Sequence, residues 1–503
     1  MLIRQFFRGV LVLALPLGGC DLGPDYQRPE VEMPVQFRAT DVTAAQAWPA
    51  EDWWRGFNSP ELDTLIEQAQ AQNFDIVAAV ARVRQADAVV RIAGAPLLPN
   101  VTTTAGASWQ QVGATRGFSG VTRGGSTTST IDVHNYIFGP FNAAYEVDFW
   151  GKNRAARQSA VASAMFSRFD QQVVALSVVT NVANTWFTAL ALADRVVVAQ
   201  QNLADAEQTL AVIQGRLQAG TASALDLAQQ EALVASERAV IPNLRNQMEQ
   251  QLIGLGILVG RPPEAITVRP GSLERLSLPP VVPGLPAELL QRRPDVAEAE
   301  AQLIAANFDI KTARAAFFPA IQLTGQYGFS NAALNTLFTP GGALISLAAG
   351  LTQPLFDGGA LRGKLEQTKG RYDELLADYR KAVVQAFTDI EDALTAWRLT
   401  TEQETLQRQA VATAQRAATI ARAQMQAGTV DVTTVLQAET TLFSAQDTLV
   451  QVRLARFQAL LDLYKAMGGG WVVPGGPIED QFPGLTPGLV PGGIALPVGG
   501  NVR

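Results

Sequence analysis

The residue whose type and position most clearly predict a chemical modification is Cys20, the only cysteine in 503 residues. Arg4 and Arg8, a short apolar run over residues 10–17 and two glycines precede it. This order is typical of a lipoprotein signal, which is cleaved just before a cysteine that then carries lipid. The apolar run is too short to span a bilayer as a helix.

A signal peptide that happens to precede a free cysteine is the alternative to this interpretation. No second cysteine is present to form a disulfide in an oxidising compartment, so acylation is the better use for Cys20. We therefore expect a bacterial chain that crosses the inner membrane and is held on a membrane by lipid.

Few other residues could support catalysis or hold an ion. The chain has one histidine, His134, and only 17% charged residues, with a net charge of −7. This leaves almost no ligands for a transition metal and no basic patch for nucleic acid. We found neither a phosphate-binding glycine loop nor a nucleophile with a plausible base. We expect no catalytic residue, no cofactor and no metal, and hence no enzyme.

An internal repeat organises the chain. A shift of 208 residues places Gln218–Thr221 on Gln426–Thr429, and it pairs Glu231 with Glu439. Each half runs in the same order: a helix that ends at a proline, alternating residues, an aromatic-glycine turn, a very long helix, a Gly-Thr turn and another helix. Such self-similarity predicts that the two halves share one structural plan.

Two proline-free segments, residues 153–219 and 360–427, predict helices that would each be about 100 Å long. Each contains a coiled-coil seam, although an ordinary solvent-exposed coiled coil would show the same spacing. The apolar stretch over residues 171–193 contains six Ser, Thr and Asn residues, which favours a buried helix over a membrane span. The seam residues are Leu203, Ala206, Leu210, Ile213 and Leu217 in the first half and Val411, Ala414, Ala418, Ala421 and Met425 in the second.

The Gly-Thr pairs predict the turns of two helical hairpins. Gly220 and Gly428 can adopt the left-handed conformation that ends a helix. Thr221 and Thr429 would then cap the start of the returning helices.

Four segments of about ten residues predict β-strands: residues 101–109, 141–149, 321–329 and 343–356. Their alternation of apolar and polar residues is typical of transmembrane barrel strands. Four strands cannot close a barrel, and lipid does not tolerate an open edge. Several copies must therefore combine, and three copies would supply twelve strands.

Six short segments, spread over nearly the whole mature chain, also resemble those of a known family. They are Cys20, Gly23-Pro-Asp-Tyr-Gln-Arg-Pro29, Tyr145-Glu-Val-Asp-Phe-Trp-Gly151, Gln291-Arg-Arg-Pro-Asp-Val296, Gln353-Pro-Leu-Phe-Asp-Gly-Gly359 and Leu436-Gln-Ala-Glu439. Together they resemble the TolC family of outer-membrane factors, most closely its OprM-type lipoprotein branch. The resemblance implies an α+β fold: a homotrimer with a twelve-stranded outer-membrane barrel, a periplasmic barrel of helices and a mixed equatorial girdle around the helices.

The repeat and the resemblance together predict six segments. In the girdle we expect Trp48, Trp53 and Trp54 to form a core and not a ligand platform. We expect Trp471 and Val472 to pack there and the last twenty residues to be poorly ordered. The segments are a signal peptide (1–19), a lipid-anchored equatorial segment (20–58), the first repeat (59–260), an equatorial linker (261–287), the second repeat (288–467) and an equatorial tail (468–503).

The function that the resemblance implies is passive export of small molecules from the cell. The duct would dock at Gly220, Thr221, Gly428 and Thr429 onto a periplasmic adaptor, which joins it to an inner-membrane pump of the RND type. A duct for type I protein secretion is the alternative on the same fold. A lipid-anchored coiled coil without a channel is a third possibility.

The resemblance also implies a gate, because aspartate rings close the tip in TolC-like proteins. The matching positions here, Thr434 and Gln437, are uncharged. Asp226 is the acidic residue that fits the gate region, with Asp431 and Glu439 nearby, although all three could simply form a solvated helix face. We expect closure through neutral hydrogen bonds and packing. Asp21, directly after Cys20, would retain an enteric lipoprotein in the inner membrane, but a barrel should override that signal.

Overall fold

The computed structural model describes residues 22–32, 34, 37, 48–115, 128–266, 271–280 and 286–471. Cys20, Asp21, Val472 and the tail that follows it lie outside these residues. The helices and strands, in chain order, are α1 (Pro60–Gln72), α2 (Phe74–Gly94), β1 (Asn100–Thr115), β2 (Thr128–Val147), α3 (Lys152–Gln218), α4 (Ala224–Val259), α5 (Pro286–Arg292), α6 (Pro294–Ala315), β3 (Ala320–Asn331), β4 (Ala343–Thr352), α7 (Ala360–Gln426) and α8 (Val432–Ala466).

The structure confirms the internal repeat. Helices α3 and α7 each have 67 residues, and both of their ends differ by the same shift of 208 residues. In both halves a helix leads into two strands, the second strand into the long helix, and the long helix into a returning helix. The predicted bounds of the long helices are correct to within one residue, because no proline interrupts the run and a glycine ends it.

The four strands form one antiparallel sheet in the order β1-β2-β3-β4, so β1 and β4 are its edges. The strands of the first half are longer than predicted, because β1 and β2 continue to pair as far as Thr115 and Thr128. The predicted ends of the second and fourth strands are too late, since β2 ends at Val147 and β4 at Thr352. A shift in the pairing of β2 with β3 lies between Phe138 and Phe141. Opposite it, Gly328 is required, since a Cβ there would lie 2.5 Å from the Phe138 carbonyl oxygen.

The two faces of the sheet differ in polarity. Ile321, Leu323 and Tyr327 pair with Leu351, Ala349 and Ile345, and this apolar face continues through Tyr145 and Phe141 on β2. Its side chains are exposed, with Ile345 at 74%, Leu347 at 86% and Leu351 at 68%. The opposite face carries Gln322, Thr324 and Gln326 on β3, and Asn142 on β2. The apolar face of the sheet is therefore exposed in a single chain.

The chain divides into two compact units, and each of them draws on both repeats. The first unit, Met1–Gln27, Gln85–Ala164 and Ala301–Leu376, contains the sheet. The second unit, Arg28–Arg84, Met165–Glu300 and Ala377–Arg503, contains the main apolar core and both Gly-Thr turns. The repeats describe the sequence, whereas the units describe how it packs.

The core of the second unit confirms two sequence interpretations. Helix α3 is long and apolar enough to cross a membrane by length and composition, but the residues concerned include Trp186 and Phe187, which are buried in this core. Trp53 and Trp54 belong to the same core, as predicted. The prediction is wrong for Trp48, which is only partly buried, lies outside this core and has the Arg292 guanidinium 4.5 Å above its ring. Trp471 packs edge-on against Phe169, as expected for its position.

The predicted seams join the two hairpins of the second unit. Ala206 of α3 packs in one buried cluster with Ala418 of α7 and Leu442 of α8. Nearer the Gly-Thr turns, Ile213 packs with Met425 and Val435. The small side chains of Ala206 and Ala418 let the helix backbones approach closely.

Candidate functional site at the hairpin tips

Both hairpin tips have the same backbone conformation. Gly220 has φ +72° and Gly428 has φ +74°, which confirms the left-handed glycines predicted from the sequence. The amide of Thr221 donates to the Arg216 carbonyl at 2.8 Å, and the amide of Thr429 donates to the Gln424 carbonyl at 2.9 Å. These bonds satisfy carbonyl groups that the end of a helix leaves without partners.

The predicted helix-capping role of the two threonines is wrong. The hydroxyl groups of Thr221 and Thr429 donate backwards, to the carbonyls of Arg216 and Gln424, at 3.1 and 3.0 Å. They therefore help to end the first helix of each hairpin and do not cap the second. The residues that cap the returning helices are Ser223 and Asp431.

At the first tip, Ser223 and Asp226 form a reciprocal cap. The Asp226 amide donates to the Ser223 hydroxyl oxygen at 3.1 Å, and the Ser223 amide donates to the Asp226 carboxylate at 2.8 Å. The predicted gate residue Asp226 thus has a local structural partner. Its carboxylate also lies at a helix N-terminus, where negative charge is favoured.

At the second tip the acid and the hydroxyl have exchanged places. Asp431 is the capping residue, and the amide and hydroxyl of Thr434 donate to its carboxylate at 3.0 and 2.6 Å. These hydrogen bonds lower the pKa of the Asp431 carboxyl below its ordinary value. Under the 208-residue shift, Ser223 matches Asp431 and Asp226 matches Thr434.

The structure brings three of the four predicted gate residues together. Asp431, which caps α8, and Thr434 and Gln437 on α8 are exposed and line an open groove of about 470 Å³. Asp226 belongs to the other tip and does not line this groove. Threonine and alanine side chains form much of the remaining wall. The groove is lined by Ala414, Ala417, Asp431, Thr433, Thr434, Gln437, Ala438 and Thr441.

Arg216 links the two tips, and the sequence analysis missed it. Its guanidinium donates to the Met425 carbonyl of the second tip at 2.7 Å and to the Thr221 carbonyl of its own tip at 3.3 Å. A cation here also neutralises the partial negative charge at the end of α7. The only sequence signal was a basic residue in the last turn of a helix, which is common.

Glu439 is buried, so a solvated helix face is wrong for this residue. It is 0% exposed. Its carboxylate accepts hydrogen bonds from Thr209 at 2.6 Å, from Arg422 at 2.7 Å and from Gln230 at 3.4 Å. Arg422 also bonds Asp205 at 3.0 Å. The four helices of the two hairpins therefore meet in one polar network near the tips.

The electrostatics of this network favour the charged form of Arg422. Burial alone would lower the pKa of the Arg422 guanidinium, but its hydrogen bonds and charge contacts with Glu439 and Asp205 raise it above the ordinary value. A buried carboxylate is tolerated only when it is paired and hydrogen-bonded in this way. The network can therefore fix the spacing of all four helices just behind the tips.

Comparison with known proteins identifies the family. The chain matches the family described as outer membrane efflux protein over residues 65–261 and 285–469. It belongs to this family of efflux channels, which are not enzymes. The four-stranded sheet and the long helices are the fold of its structural neighbours.

Individual relatives agree over nearly their whole length. The pyoverdine export outer membrane protein OpmQ of Pseudomonas aeruginosa is 41% identical over 91% of this chain and 95% of its own. The probable efflux pump outer membrane protein TtgC of Pseudomonas putida is 32% identical over 95% of this chain and 98% of its own. The solved outer-membrane channel OprN is 26% identical, with a TM-score of 0.83, and the match covers 90% of this chain and all of OprN.

Proposed function

We propose that three copies of this chain form a passive duct through the outer membrane, with their strands completing one twelve-stranded barrel. The observation that supports this proposal is the four-stranded sheet, which does not close into a barrel within one chain. Its apolar face is exposed at Ile345, Leu347 and Leu351, its other face is polar, and β1 and β4 are unpaired edges. Lipid tolerates such a sheet only when the edges are closed, with the apolar face outward and the polar face toward water.

The helices also have a surface that a further copy would cover. Leu399, Leu406 and Ile420 lie on α7 at multiples of seven residues, and all three are about half exposed or more. This spacing produces an apolar stripe along one side of a helix. A neighbouring protomer packed against the stripe would complete a ring of helices.

The duct works with an energised pump that the chain itself does not contain. We assign docking on a periplasmic adaptor to the tips around Gly220, Thr221, Gly428 and Thr429, and energy supply to an inner-membrane pump of the RND type. Both compared relatives have names that refer to export or to an efflux pump. Because one of those names is that of an exporter of pyoverdine, a small molecule, small molecules are a better cargo for this chain than secreted proteins.

The decisive experiment is conductance in a planar bilayer with the purified full chain, together with native mass spectrometry. A trimer that forms discrete, voltage-independent conductance steps supports the duct. A monomer would instead support a periplasmic coiled-coil protein, and so would a trimer that stays without conductance after the contacts that close its tips have been removed by substitution. The same mass spectra test the lipid on Cys20, because acyl chains add mass that a Cys20→Ser variant must lack.

We propose that the tip closes through contacts of the uncharged Thr434 and Gln437, with Asp431 beside them in the groove and Asp226 at the other tip as the acidic contributions. Gln437 lies exposed in the groove beside Asp431, which supports this position for a gate. Gln437→Asp should raise cation selectivity, because three added carboxylates would face one axis where water is scarce. Gln415→Asp, at an exposed glutamine of α7 that does not line the groove, is the control. Equal selectivity in both variants would place residue 437 away from the pore.

A further inference from the structure

The loop between β3 and β4 has a defined fold of its own. It contains two short helical turns, Leu334–Thr336 and Pro340–Gly342. The Thr339 hydroxyl donates to the Thr336 carbonyl at 2.7 Å, and the Gly342 amide donates to the Thr339 carbonyl at 2.9 Å. Gly342 has no room for a side chain, since a Cβ would lie 2.3 Å from the Leu337 carbonyl oxygen. Local bonds thus hold the loop in one conformation.

This loop presents large apolar side chains outward. Leu337 is buried beneath it, but Leu334 is 61% exposed and Phe338 is 65% exposed. No charged residue occurs from Ser330 to Gly342. A structured loop that only had to remain in water would gain nothing from exposing both a leucine and a phenylalanine.

Phe338 continues the apolar face of the sheet. Its ring lies edge-on to Phe138 at 5.7 Å and to Phe329 at 5.4 Å between ring centroids. Phe138 and Phe329 are paired across β2 and β3, on the same face as Tyr327 and Ile345. The exposed surface of the loop is therefore continuous with the surface that faces lipid in the proposed barrel.

The topology of the chain places this loop at one rim of the sheet. Helix α6 leads into the start of β3 and helix α7 follows the end of β4, so the β3–β4 loop lies at the sheet end opposite both connections. In an outer-membrane channel whose helices lie in the periplasm, that rim faces the cell surface. The absence of charge suits the boundary of the acyl chains better than the anionic head groups above them.

We propose that Leu334 and Phe338 form a lipid-contacting site, in which the β3–β4 loop inserts into the acyl boundary of the outer leaflet. The inference rests on the proposed barrel. It extends the lipid-facing surface from the strands onto a preformed loop and so fixes how deep this rim of the barrel sits. The occupant is lipid, because the loop surface joins the lipid-facing sheet without a break.

The test uses single cysteines labelled with the environment-sensitive fluorophore NBD. Phe338→Cys and Leu334→Cys are compared with Asn335→Cys, an exposed polar position between them in the same loop. The parent protein, whose only cysteine is Cys20, measures background labelling. The full-length protein is reconstituted in phosphatidylcholine vesicles that contain lipids spin-labelled at a shallow or a deep acyl position, and iodide is the aqueous quencher.

We expect the labels at 334 and 338 to be quenched about threefold more by shallow spin-labelled lipid than the label at 335, and to be protected from iodide. A label at 338 that is as accessible to iodide as the label at 335 overturns the inference. Protection from both quenchers would mean that protein covers the site, which also overturns it.

A label on the sheet separates this inference from the proposed function. Ile345→Cys and Leu347→Cys lie on the exposed apolar face, and either variant suffices if the other fails to assemble. If the sheet labels are not quenched by lipid, the proposed barrel itself is wrong. If they are quenched while Phe338→Cys behaves like Asn335→Cys, the barrel stands and only the loop site fails.

Discussion

The two helical hairpins share a backbone plan but differ in what they bury. In the first hairpin, Val196 and Met248 pack in an apolar cluster with Leu192, Ile241 and Leu244. Under the 208-residue shift, Val196 matches Glu404 and Met248 matches Arg456. One backbone arrangement thus accommodates an apolar contact in one hairpin and an ionic contact in the other. The two hairpins therefore agree in where their helices end and turn, but differ in the residue types that pack between the helices.

The ionic cluster of the second hairpin is well satisfied. Glu404 is 3% exposed, and its carboxylate accepts hydrogen bonds from Arg408 at 2.7 Å, Arg456 at 2.9 Å and Arg453 at 3.2 Å. The Arg456 guanidinium also lies 4.9 Å above the Trp397 ring. Burial alone would raise the pKa of Glu404, but the three arginines lower it to about 2.

The largest effect is expected when Glu404 of the second hairpin is replaced by valine, the residue at the equivalent position of the first hairpin. Glu404→Val leaves three guanidinium groups without their acceptor and should lower the free energy of unfolding by about 3–5 kcal/mol. Urea denaturation of the purified channel in detergent measures it. Glu402→Val, at an exposed neighbour, is the control and should change little. If both variants lose the same stability, the cluster does not distinguish the hairpins.

Adding Arg456→Met to Glu404→Val completes the exchange with the first hairpin. The double variant should regain part of the loss, because a well-packed apolar pair often replaces an ion pair at no cost. Arg408 and Arg453 remain, so recovery should be incomplete. A double variant less stable than Glu404→Val would show that the two hairpins are packed too differently for the exchange.

Acid should weaken the second hairpin selectively. A carboxyl group whose pKa is lower in the folded than in the unfolded state adds stability above its unfolded pKa, and this stability is lost as pH falls through the folded pKa. For Glu404 the window runs from the ordinary value of 4.5 down to about 2. The stability difference between the parent and Glu404→Gln should therefore shrink as pH falls through this window. A difference that stays constant with pH would contradict the assigned charge.

The 208-residue shift also places two glutamates, Glu231 and Glu439, at equivalent positions of the two hairpins. Glu439 is buried against Arg422 and Thr209, whereas its counterpart Glu231 is exposed. Glu439→Gln should cost about 2–3 kcal/mol, because it removes the charge that Arg422 pairs with. Glu231→Gln should cost less than about 0.5 kcal/mol. The temperature at which the trimer dissociates measures both stability losses. Equal shifts of this temperature in the two variants would contradict the buried network.

Arg216 and its counterpart Gln424 test the link between the tips. Arg216→Gln gives the first tip the residue of the second and removes the donor to the Met425 carbonyl. The bond is partly exposed, so we expect a loss of only about 1 kcal/mol. The leak conductance of the closed channel should rise, because the tips can then separate. Gln424→Ala, which truncates an exposed side chain at the second tip, is the control. An unchanged leak in Arg216→Gln would show that the link does not hold the tips closed.

The sequence was sufficient to predict backbone features that depend on local rules. The proline-free runs and the two glycines predicted both long helices and both tips, because the interruption and ending of a helix depend on the residues at that point. Alternating residues predicted the four strands. The start of β2 was predicted too late because Asp132 and His134 fall on the apolar side of β2 and interrupt the pattern.

Side-chain partners across the hairpins were harder to predict, because they depend on which helix faces meet. Nothing local connects Arg216 to Met425, which lies 209 residues away. Glu439 did carry a signal, since it lies four residues after Val435 and three before Leu442, within the apolar seam. An acid at a seam position is buried and needs a cation. The Ser-x-x-Asp and Asp-x-x-Thr spacings likewise indicated the true caps.

The smallest expected effect concerns the two caps. Ser223→Asp combined with Asp226→Thr gives the first tip the Asp-x-x-Thr arrangement of the second. Because serine and aspartate are equally good capping residues, stability should change by less than about 0.5 kcal/mol. Asp431→Ala, which removes a cap outright, should cost about 1 kcal/mol in comparison. The exchange moves a carboxylate by three residues without removing it, so conductance separates two roles for Asp226. An unchanged leak means that the acid at this tip acts as a helix cap, whereas an increased leak means that the position of the Asp226 carboxylate contributes to closing the gate.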